Sequence, residues 1–270
     1  MNALAARRRH PEAIAILIML GLFLTGAVYA VVAPKDADAT TQAVSAQSVE
    51  EGQALFRANC ASCHGLNAEG RATGNGDKMA GPALAGVGAA AVDFQVGTGR
   101  MPLAGPMVQA PGGNEVKFTD EQIAALGAYV ASLAPGPEVP SEEAVDPTKG
   151  DPANGGALFR VNCAMCHNVA GAGGALTEGK YAPSLQGVEA QHIYEAMVTG
   201  PQNMPVFNDM TITPEQKANI ISYLKYLDET PAAGGLTLGG LGPVSEGLFI
   251  WIFGLGAIVG ITIWLTAKSN

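Results

Sequence analysis

Gly52-Gln53-Ala54-Leu55-Phe56-Arg57-Ala58-Asn59-Cys60-Ala61-Ser62-Cys63-His64 and Gly155-Gly156-Ala157-Leu158-Phe159-Arg160-Val161-Asn162-Cys163-Ala164-Met165-Cys166-His167 are nearly one sequence written twice, 103 residues apart. Moving outward from this pair, Met101-Pro102 falls on Met204-Pro205 at the same offset of 103. Pro82-Ala83-Leu84-Ala85-Gly86-Val87 falls on Pro183-Ser184-Leu185-Gln186-Gly187-Val188 at an offset of 101. Phe118-Thr119-Asp120-Glu121-Gln122 falls on Ile212-Thr213-Pro214-Glu215-Gln216 at 94, and Tyr129 on Tyr223. The middle of the chain is a duplicated unit of roughly 85–90 residues; two copies of so long a period do not make a solenoid.

Each copy reads as helical. Val49–Ala58 and Asn154–Val161 are short helix candidates that lead into a Cys pair with an apolar face of Leu55/Phe56 or Leu158/Phe159. Thr119 and Thr213 are helix N-cap candidates with Gln three residues on, and Pro214 suits a first helical turn. Ile123, Leu126, Tyr129, Val130 and Leu133, and then Ile220, Tyr223, Leu224 and Leu227, each make one apolar stripe at helical spacing. No alternating strand pattern is evident, and Gly65–Gly81 and Gly171–Gly179 read as loops. Only 6% of the residues are aromatic, so the units have little bulky side chain with which to fill a core. Small scaffolds of this kind need a staple or a cofactor.

All four cysteines lie in Cys60-Ala-Ser-Cys63-His64 and Cys163-Ala-Met-Cys166-His167. C-x-x-C-H is the pattern of c-type haem attachment. Two thiols one turn apart can add to the two vinyl groups on one edge of a haem, and the adjacent His then faces the iron. A zinc site assembled from both Cys pairs would not account for the His after each pair or for the duplication. A thioredoxin-like redox pair would follow a strand, and a disulfide within each loop explains neither His. The expected covalent attachment points are therefore Cys60, Cys63, Cys163 and Cys166, for two haem c groups, with His64 and His167 as axial ligands. Met101 and Met204 are the expected opposite ligands, each 37 residues beyond its motif His and each followed by Pro. A thioether opposite an imidazole favours ferrous iron and raises the potential. Met79, Met107, Met197 and Met210 lack a mate in the other copy and read as core or surface. His192 also lacks one and reads as a helix-surface residue.

The ends differ from the middle. The mean hydropathy of +0.19 is high, and the apolar residues concentrate in Ala13–Ala33 and Gly247–Ala267, two uncharged runs of 21 residues. Each is long enough for a helix to cross a bilayer, which takes ~20 residues. Val28-Tyr29-Ala30 and Val31-Val32-Ala33 also offer small-residue cleavage sites, although a signal h-region is usually ~7–15 residues. Arg7, Arg8 and Arg9 before the first run and Lys268 after the second put both termini in the cytoplasm by the positive-inside rule. Setting aside those four and Glu12, the 15 Lys+Arg and 24 Asp+Glu leave 11 and 23 in Pro34–Glu246, a net charge of −12. Such acidity fits a translocated segment and a basic partner surface, and excludes nucleic-acid binding as the default.

Each copy resembles a class I cytochrome c domain: Gly52/Phe56 or Gly155/Phe159 on the first helix, C-x-x-C-H, Pro-x-Leu, Met, and an aromatic (Tyr129, Tyr223) on the last helix. The resemblance implies a mostly α fold in which Gly52 crosses Tyr129 and Gly155 crosses Tyr223. It also implies that the Pro82 and Pro183 carbonyls accept the N–H of His64 and His167. Two such domains between hydrophobic ends are similar to the dihaem cytochrome cc subunits of actinobacterial quinol–cytochrome c reductases, the cytochrome bc complex. That similarity implies a relay of single electrons from a Rieske iron–sulfur subunit, next to a cytochrome b subunit, to an aa-type cytochrome oxidase within a supercomplex. The expected organisation is a cytoplasmic N-terminus (1–12), transmembrane helix or signal anchor (13–33), tether (34–48), cytochrome c domain 1 (49–134), linker (135–153), cytochrome c domain 2 (154–230), tether (231–246) and transmembrane helix (247–267). Competing expectations are a membrane-anchored dihaem carrier, a dihaem subunit of a cbb-type oxidase and a dihaem peroxidase. The peroxidase needs an iron with an open position, whereas both copies offer a Met. Domain 1 carries nine extra residues within Leu103–Lys117, which read equally as a contact with a partner subunit or as a plain surface insertion.

Overall fold

The computed structural model describes residues 11–32, 46–72, 79–105, 107–230 and 243–267. Arg7, Arg8, Arg9, Lys268, Ala33, most of the 34–48 tether and residues 231–242 of the second tether lie outside the described residues. Two compact units separate, residues 1–42 and 43–270. The first contains α1, Pro11–Val32, an uninterrupted helix of 22 residues opened by a proline.

In the second unit the first copy contributes α2 (Ala46–Asn59), α3 (Ala61–His64), β1 (Arg71–Ala72), β2 (Met79–Gly81), α4 (Gly88–Gly97) and α5 (Asp120–Leu133). A short α6 (Glu142–Val145) and a 3-10 turn (Pro147–Lys149) follow. The second copy repeats the order with α7 (Pro152–Asn162), α8 (Ala164–His167), β3 (Gly174–Ala175), β4 (Tyr181–Ala182), α9 (Ala190–Thr199) and α10 (Pro214–Glu229). The C-terminal segment is helical in α11 (Pro243–Phe249), continues through a π-helical stretch (Ile250–Leu255) and ends in α12 (Gly256–Thr266).

Both long helices start as their sequences dictate. Thr119 Oγ accepts from the Gln122 N–H and the Gln122 side chain accepts from the Thr119 N–H, a reciprocal capping box. Thr213 and Gln216 repeat it, with Pro214 in the first turn. In each copy the first and last helices cross backbone to backbone through a glycine. A Cβ on Gly52 would stand 1.9 Å from the Ala125 carbonyl oxygen and 3.0 Å from Tyr129 Cβ. A Cβ on Gly155 would stand 1.8 Å from the Asn219 oxygen and 3.0 Å from Tyr223 Cβ. Beside each crossing the rings stack in the same tilted way, Phe56–Tyr129 at 5.2 Å and 48°, Phe159–Tyr223 at 5.5 Å and 47°. Two separate cores result, one around Phe56, Leu126, Tyr129 and Val130, the other around Phe159, Ile193, Met197, Ile220, Ile221 and Leu224.

Four features go beyond the sequence expectations or against them. First, strands exist. β1 pairs antiparallel with β2 and β3 with β4, inside segments read as loops. At two or three residues each they are too short to display an alternating pattern. Second, α4 was not anticipated, because Gly88–Gly97 is mostly small and apolar without a clean stripe, and α9 was anticipated only at His192. Third, the linker is not free chain. The Pro137 carbonyl accepts from the Ala90 N–H, Asp151 N–H donates to the Asn219 side chain, and Ser222 donates to the Gly150 carbonyl. Fourth, the extra residues of domain 1 dock on domain 2 of the same chain. Gln109 donates to the Tyr181 carbonyl (2.7 Å) and accepts from its N–H (2.8 Å), and Ala110 N–H donates to Gln202.

Ser245–Thr266, a helix of 22 residues with a window of mean hydropathy 2.3, none of it buried, is long and apolar enough to cross a bilayer. At 1.5 Å per residue it spans about 33 Å against a hydrocarbon core of about 30 Å.

Candidate haem sites

The two C-x-x-C-H motifs have the same local architecture. The chain leaves the first helix and makes one further helical turn, His64 N–H bonding to the Cys60 carbonyl and His167 N–H to the Cys163 carbonyl, at 3.0 and 2.9 Å. That turn sets the two cysteines of each pair three residues apart on a helix, on one side. All four are free thiols. Burial and the neighbouring cysteine push the Cys60 and Cys163 thiols up to about 11.

The loop after each motif returns to the His. Gly70 N–H bonds to the His64 carbonyl and Gly173 N–H to the His167 carbonyl. Leu84 N–H then bonds to the Ala68 carbonyl and Leu185 N–H to the Gly171 carbonyl, which brings the Pro-x-Leu segment alongside. Ala68 and Gly171 both sit at positive φ, 58° and 69°, a turn that glycine adopts at no cost and alanine does not. The return delivers the Pro82 carbonyl to 2.7 Å from His64 Nδ1 and the Pro183 carbonyl to 2.9 Å from His167 Nδ1. A carbonyl only accepts, so each Nδ1 carries the proton and each Nε2 keeps a free lone pair. Burial lowers the His167 pKa, with the Pro183 bond opposing, so the ring is held neutral.

Glycine permits the close approach. A Cβ on Gly81 would lie 2.7 Å from the Cys63 carbonyl and 3.0 Å from His64 Nδ1, and one on Gly174 would lie 2.9 Å from the Cys166 carbonyl. Reading these glycines as loop residues missed that role; the place of Gly81 just before Pro82-Ala83-Leu84 is a signal that could have found it, whereas Gly174 stands nine residues before Pro183 and carries no such mark.

The second copy encloses a cavity of about 1070 Å³ whose walls include Cys163, Cys166, His167, Leu185, Met204 and Phe207. His167 and Met204 thus face one space, apolar on most sides, with both thiols on its rim. A largely apolar cavity lined by one imidazole, one thioether and two cysteines fits haem c. Met204 packs half-buried on the core, its N–H bonded to the Pro201 carbonyl; Met101 is half-buried, its N–H bonded to the Gln95 carbonyl. Sequence reasoning missed that domain 1 supplies part of this wall: Phe94, Arg100, Gln109 and Asn114 line the same cavity. The Arg100 guanidinium lies 4.6 Å over the Phe94 ring, and burial lowers its pKa.

His192 does not lie on an open helix surface. Its side chain is 16% exposed and sits against domain 1, edge-on to Phe94 at 6.2 Å and 3.8 Å from Asp93. Met197 is core at 3% exposure, whereas Met107 and Met210 are exposed.

Residues 49–134 match the family model "Cytochrome c", and residues 150–224 match "Cytochrome C oxidase, cbb3-type, subunit III". A cytochrome bc1 complex cytochrome c subunit of Corynebacterium efficiens is 40% identical over 275 residues, covering 97% of this chain and 90% of the relative. One of Mycobacterium tuberculosis is 42% identical over 259 residues, covering 94% and 90%. The cbb3-type cytochrome c oxidase subunit FixP of Sinorhizobium medicae matches at 33% identity but over 29% of this chain and 30% of its own length. Cytochrome c domains imply covalently bound haem c, and the one candidate membrane-spanning helix among the searched residues agrees with a membrane-associated protein. Both copies of the motif geometry and relatives aligned nearly end to end lead to one assignment: the chain is a haem electron carrier and belongs to the family of cytochrome bc1 complex cytochrome c subunits.

Proposed function

We propose that the chain is the dihaem electron-transfer subunit of a membrane-bound quinol–cytochrome c reductase, a translocase in which this chain performs no catalysis alone. It takes single electrons from a Rieske iron–sulfur subunit and delivers them to an aa-type terminal oxidase held in a supercomplex, while quinol is oxidised at a cytochrome b subunit. Cytochrome c domain 1 is residues 49–134 and domain 2 is residues 154–230, joined by 135–153. Cys60 and Cys63 hold one haem c and Cys163 and Cys166 the second. His64 with Met101, and His167 with Met204, provide the axial ligands. When bound, haem c supplies reversible one-electron exchange at iron.

The chain's own residues prepare that exchange. Pro82 and Pro183 fix the tautomer and plane of each imidazole, so that Nε2 is presented without reorganisation. The Met101 and Met204 thioethers would hold the iron together with the two imidazoles and would favour its reduced state. The apolar walls keep water out. The helices of residues 13–33 and 247–267 anchor the protein twice, with both termini cytoplasmic and the haem domains on the outer face. Anchoring raises the local concentration of donor and acceptor in place of a diffusing carrier.

The observation that carries this reading is the twofold occurrence of the same contact, motif His Nδ1 on the Pro-x-Leu carbonyl at 2.7 and 2.9 Å. The test is the pyridine-haemochrome content of the denatured chain. Two haems per chain are expected, and one after Cys163→Ser with Cys166→Ser; one or none in the native chain refutes the proposal. The similarity of residues 150–224 to a cbb3-type oxidase subunit favours a second reading, a dihaem subunit of such an oxidase. Purification through a tag on this chain separates them. Co-purification of cytochrome b and Rieske subunits supports the first reading, and of a cbb-type oxidase core the second.

A further inference from the structure

Helix α4 of domain 1 and helix α9 of domain 2 pack together, and they bury three titratable side chains at the seam. Asp93 comes from α4, and His192 and Glu195 from one turn of α9. One ligand-capable atom from each lies within 4.8 Å of the other two. Asp93 and His192 side chains are 23% and 16% exposed, and Glu195 is 0% exposed. Gln191 donates to Asp93 Oδ2 at 2.9 Å and to Glu195 Oε1 at 3.2 Å. Glu195 Oε2 is fully buried and has no hydrogen-bond partner. On the other side of the imidazole, Glu189 Oε2 stands 3.8 Å from His192 Nδ1.

Two carboxylates and an imidazole enclosed with an unsatisfied oxygen are costly unless something positive joins them. A shared proton is one remedy, and burial beside Asp93 does push the Glu195 carboxyl up to about 9. A proton held between the two carboxyls still leaves the His192 imidazole, 3.8 Å from Asp93 and 3.8 Å from Glu189, without a hydrogen bond to either. One nitrogen and two carboxylate oxygens, converging from a His-x-x-Glu turn and a facing helix, are a donor set for a divalent transition cation. We propose that Asp93, His192 and Glu195 form a zinc-class cation site that ties domain 1 to domain 2.

The geometry is within reach. Tetrahedral zinc with bonds of about 2.0–2.1 Å holds its ligand atoms about 3.4 Å apart. The three atoms therefore need to draw together by roughly an ångström, a side-chain rotation. Gln191, with its amide turned over, brings an oxygen to the fourth position. Glu189 faces the distal imidazole nitrogen, as outer carboxylates do around metal-bound His. The site is separate from the axial ligands but shares a wall with the domain 2 cavity, which His192 and Phe94 also line.

The test uses the full-length, haem-loaded protein after chelator treatment, with Zn2+ as the probe. Of four histidines, two belong to the C-x-x-C-H motifs, leaving His10 and His192. We expect one zinc per chain by elemental analysis, and a zinc-edge absorption spectrum with one imidazole nitrogen and oxygens at about 2.0 Å. In competition with a chromogenic chelator, H192Q and E195Q each weaken binding about tenfold or more, whereas H10Q leaves it unchanged. Haem content and far-UV circular dichroism report whether each variant has folded. Absence of a tight zinc, a sulfur ligand or no imidazole in the wild-type spectrum, or equal affinity in folded H192Q, overturns the proposal.

Discussion

Gly155→Ala should unfold domain 2. The added Cβ would sit 1.8 Å from the Asn219 carbonyl oxygen, a main-chain atom in the middle of the facing helix. A carbon and a carbonyl oxygen approach to about 3.3 Å at their closest comfortable distance, so α7 and α10 must part by about 1.5 Å. Everything clamped by the crossing moves with them. Phe159 and Ile220, 0% and 1% exposed, lose close packing, and the Phe159–Tyr223 ring pair loses a geometry that is worth about 0.5–1.5 kcal/mol alone. Overpacking by one methyl commonly costs about 1–3 kcal/mol. Here the obstacle is backbone at both sides, so at least 3 kcal/mol is expected, a large part of the about 5–15 kcal/mol that holds a domain. Urea unfolding followed by far-UV circular dichroism should show an early transition for one domain and an unshifted transition for the other. Gly52→Ala, with its Cβ 1.9 Å from the Ala125 oxygen, should do the same to domain 1. Gly105→Ala, with nothing within 4 Å, is the control and should change stability by under about 0.5 kcal/mol. A Gly155→Ala protein with wild-type midpoints would refute the argument that the backbones touch there.

Thr213→Ala removes the hydroxyl of a complete capping box and should cost domain 2 about 1 kcal/mol, read as a lowered melting temperature. Glu195 has a folded-state pKa near 9 against about 4.5 in the unfolded chain, so the native state retains a proton that the unfolded state loses. Its contribution is fully present below about pH 4.5 and drains at up to about 1.4 kcal/mol per unit as pH rises towards 9. In chelator-treated protein Glu195→Gln should flatten that decline and be the more stable form at pH 8. On the proposed ligation, Met204→His would replace a thioether by an imidazole while leaving the cysteine attachment in place, so a redox titration should show one of the two proposed haems with a lowered potential. Gln109→Ala removes both bonds to the Tyr181 main chain and should make the 135–153 segment easier to cleave in limited proteolysis.

The helices that carry strong local signals were legible. Thr119/Gln122 and Thr213/Gln216 announce their capping boxes, and the stripes from Ile123 to Leu133 and from Ile220 to Leu227 mark buried faces. The C-x-x-C-H motifs pointed to covalent haem c, which the cytochrome c family matches also imply. What escaped is what depends on packing. Nothing in Gly88–Gly97 reveals that Asp93 faces another domain, and nothing in the run around His192 reveals that a lone histidine meets it. Nor does a Gly- and Pro-rich insertion reveal which surface receives it. Comparing the two copies showed where the insertion is, because the distance from Met to Thr doubles from 9 to 18 residues. It could not show that Gln109 reaches Tyr181.

That Gln109 contact has a kinetic meaning. A side-chain amide that satisfies both main-chain groups of one residue works like an extra rung on the β3–β4 ladder, and it fixes the two domains without relying on the peptide between them. The span separating the two proposed haem sites then has a set value rather than a distribution. Passage of an electron from one to the other should be indifferent to added glycerol or salt, while arrival from and departure to outside proteins should slow with both.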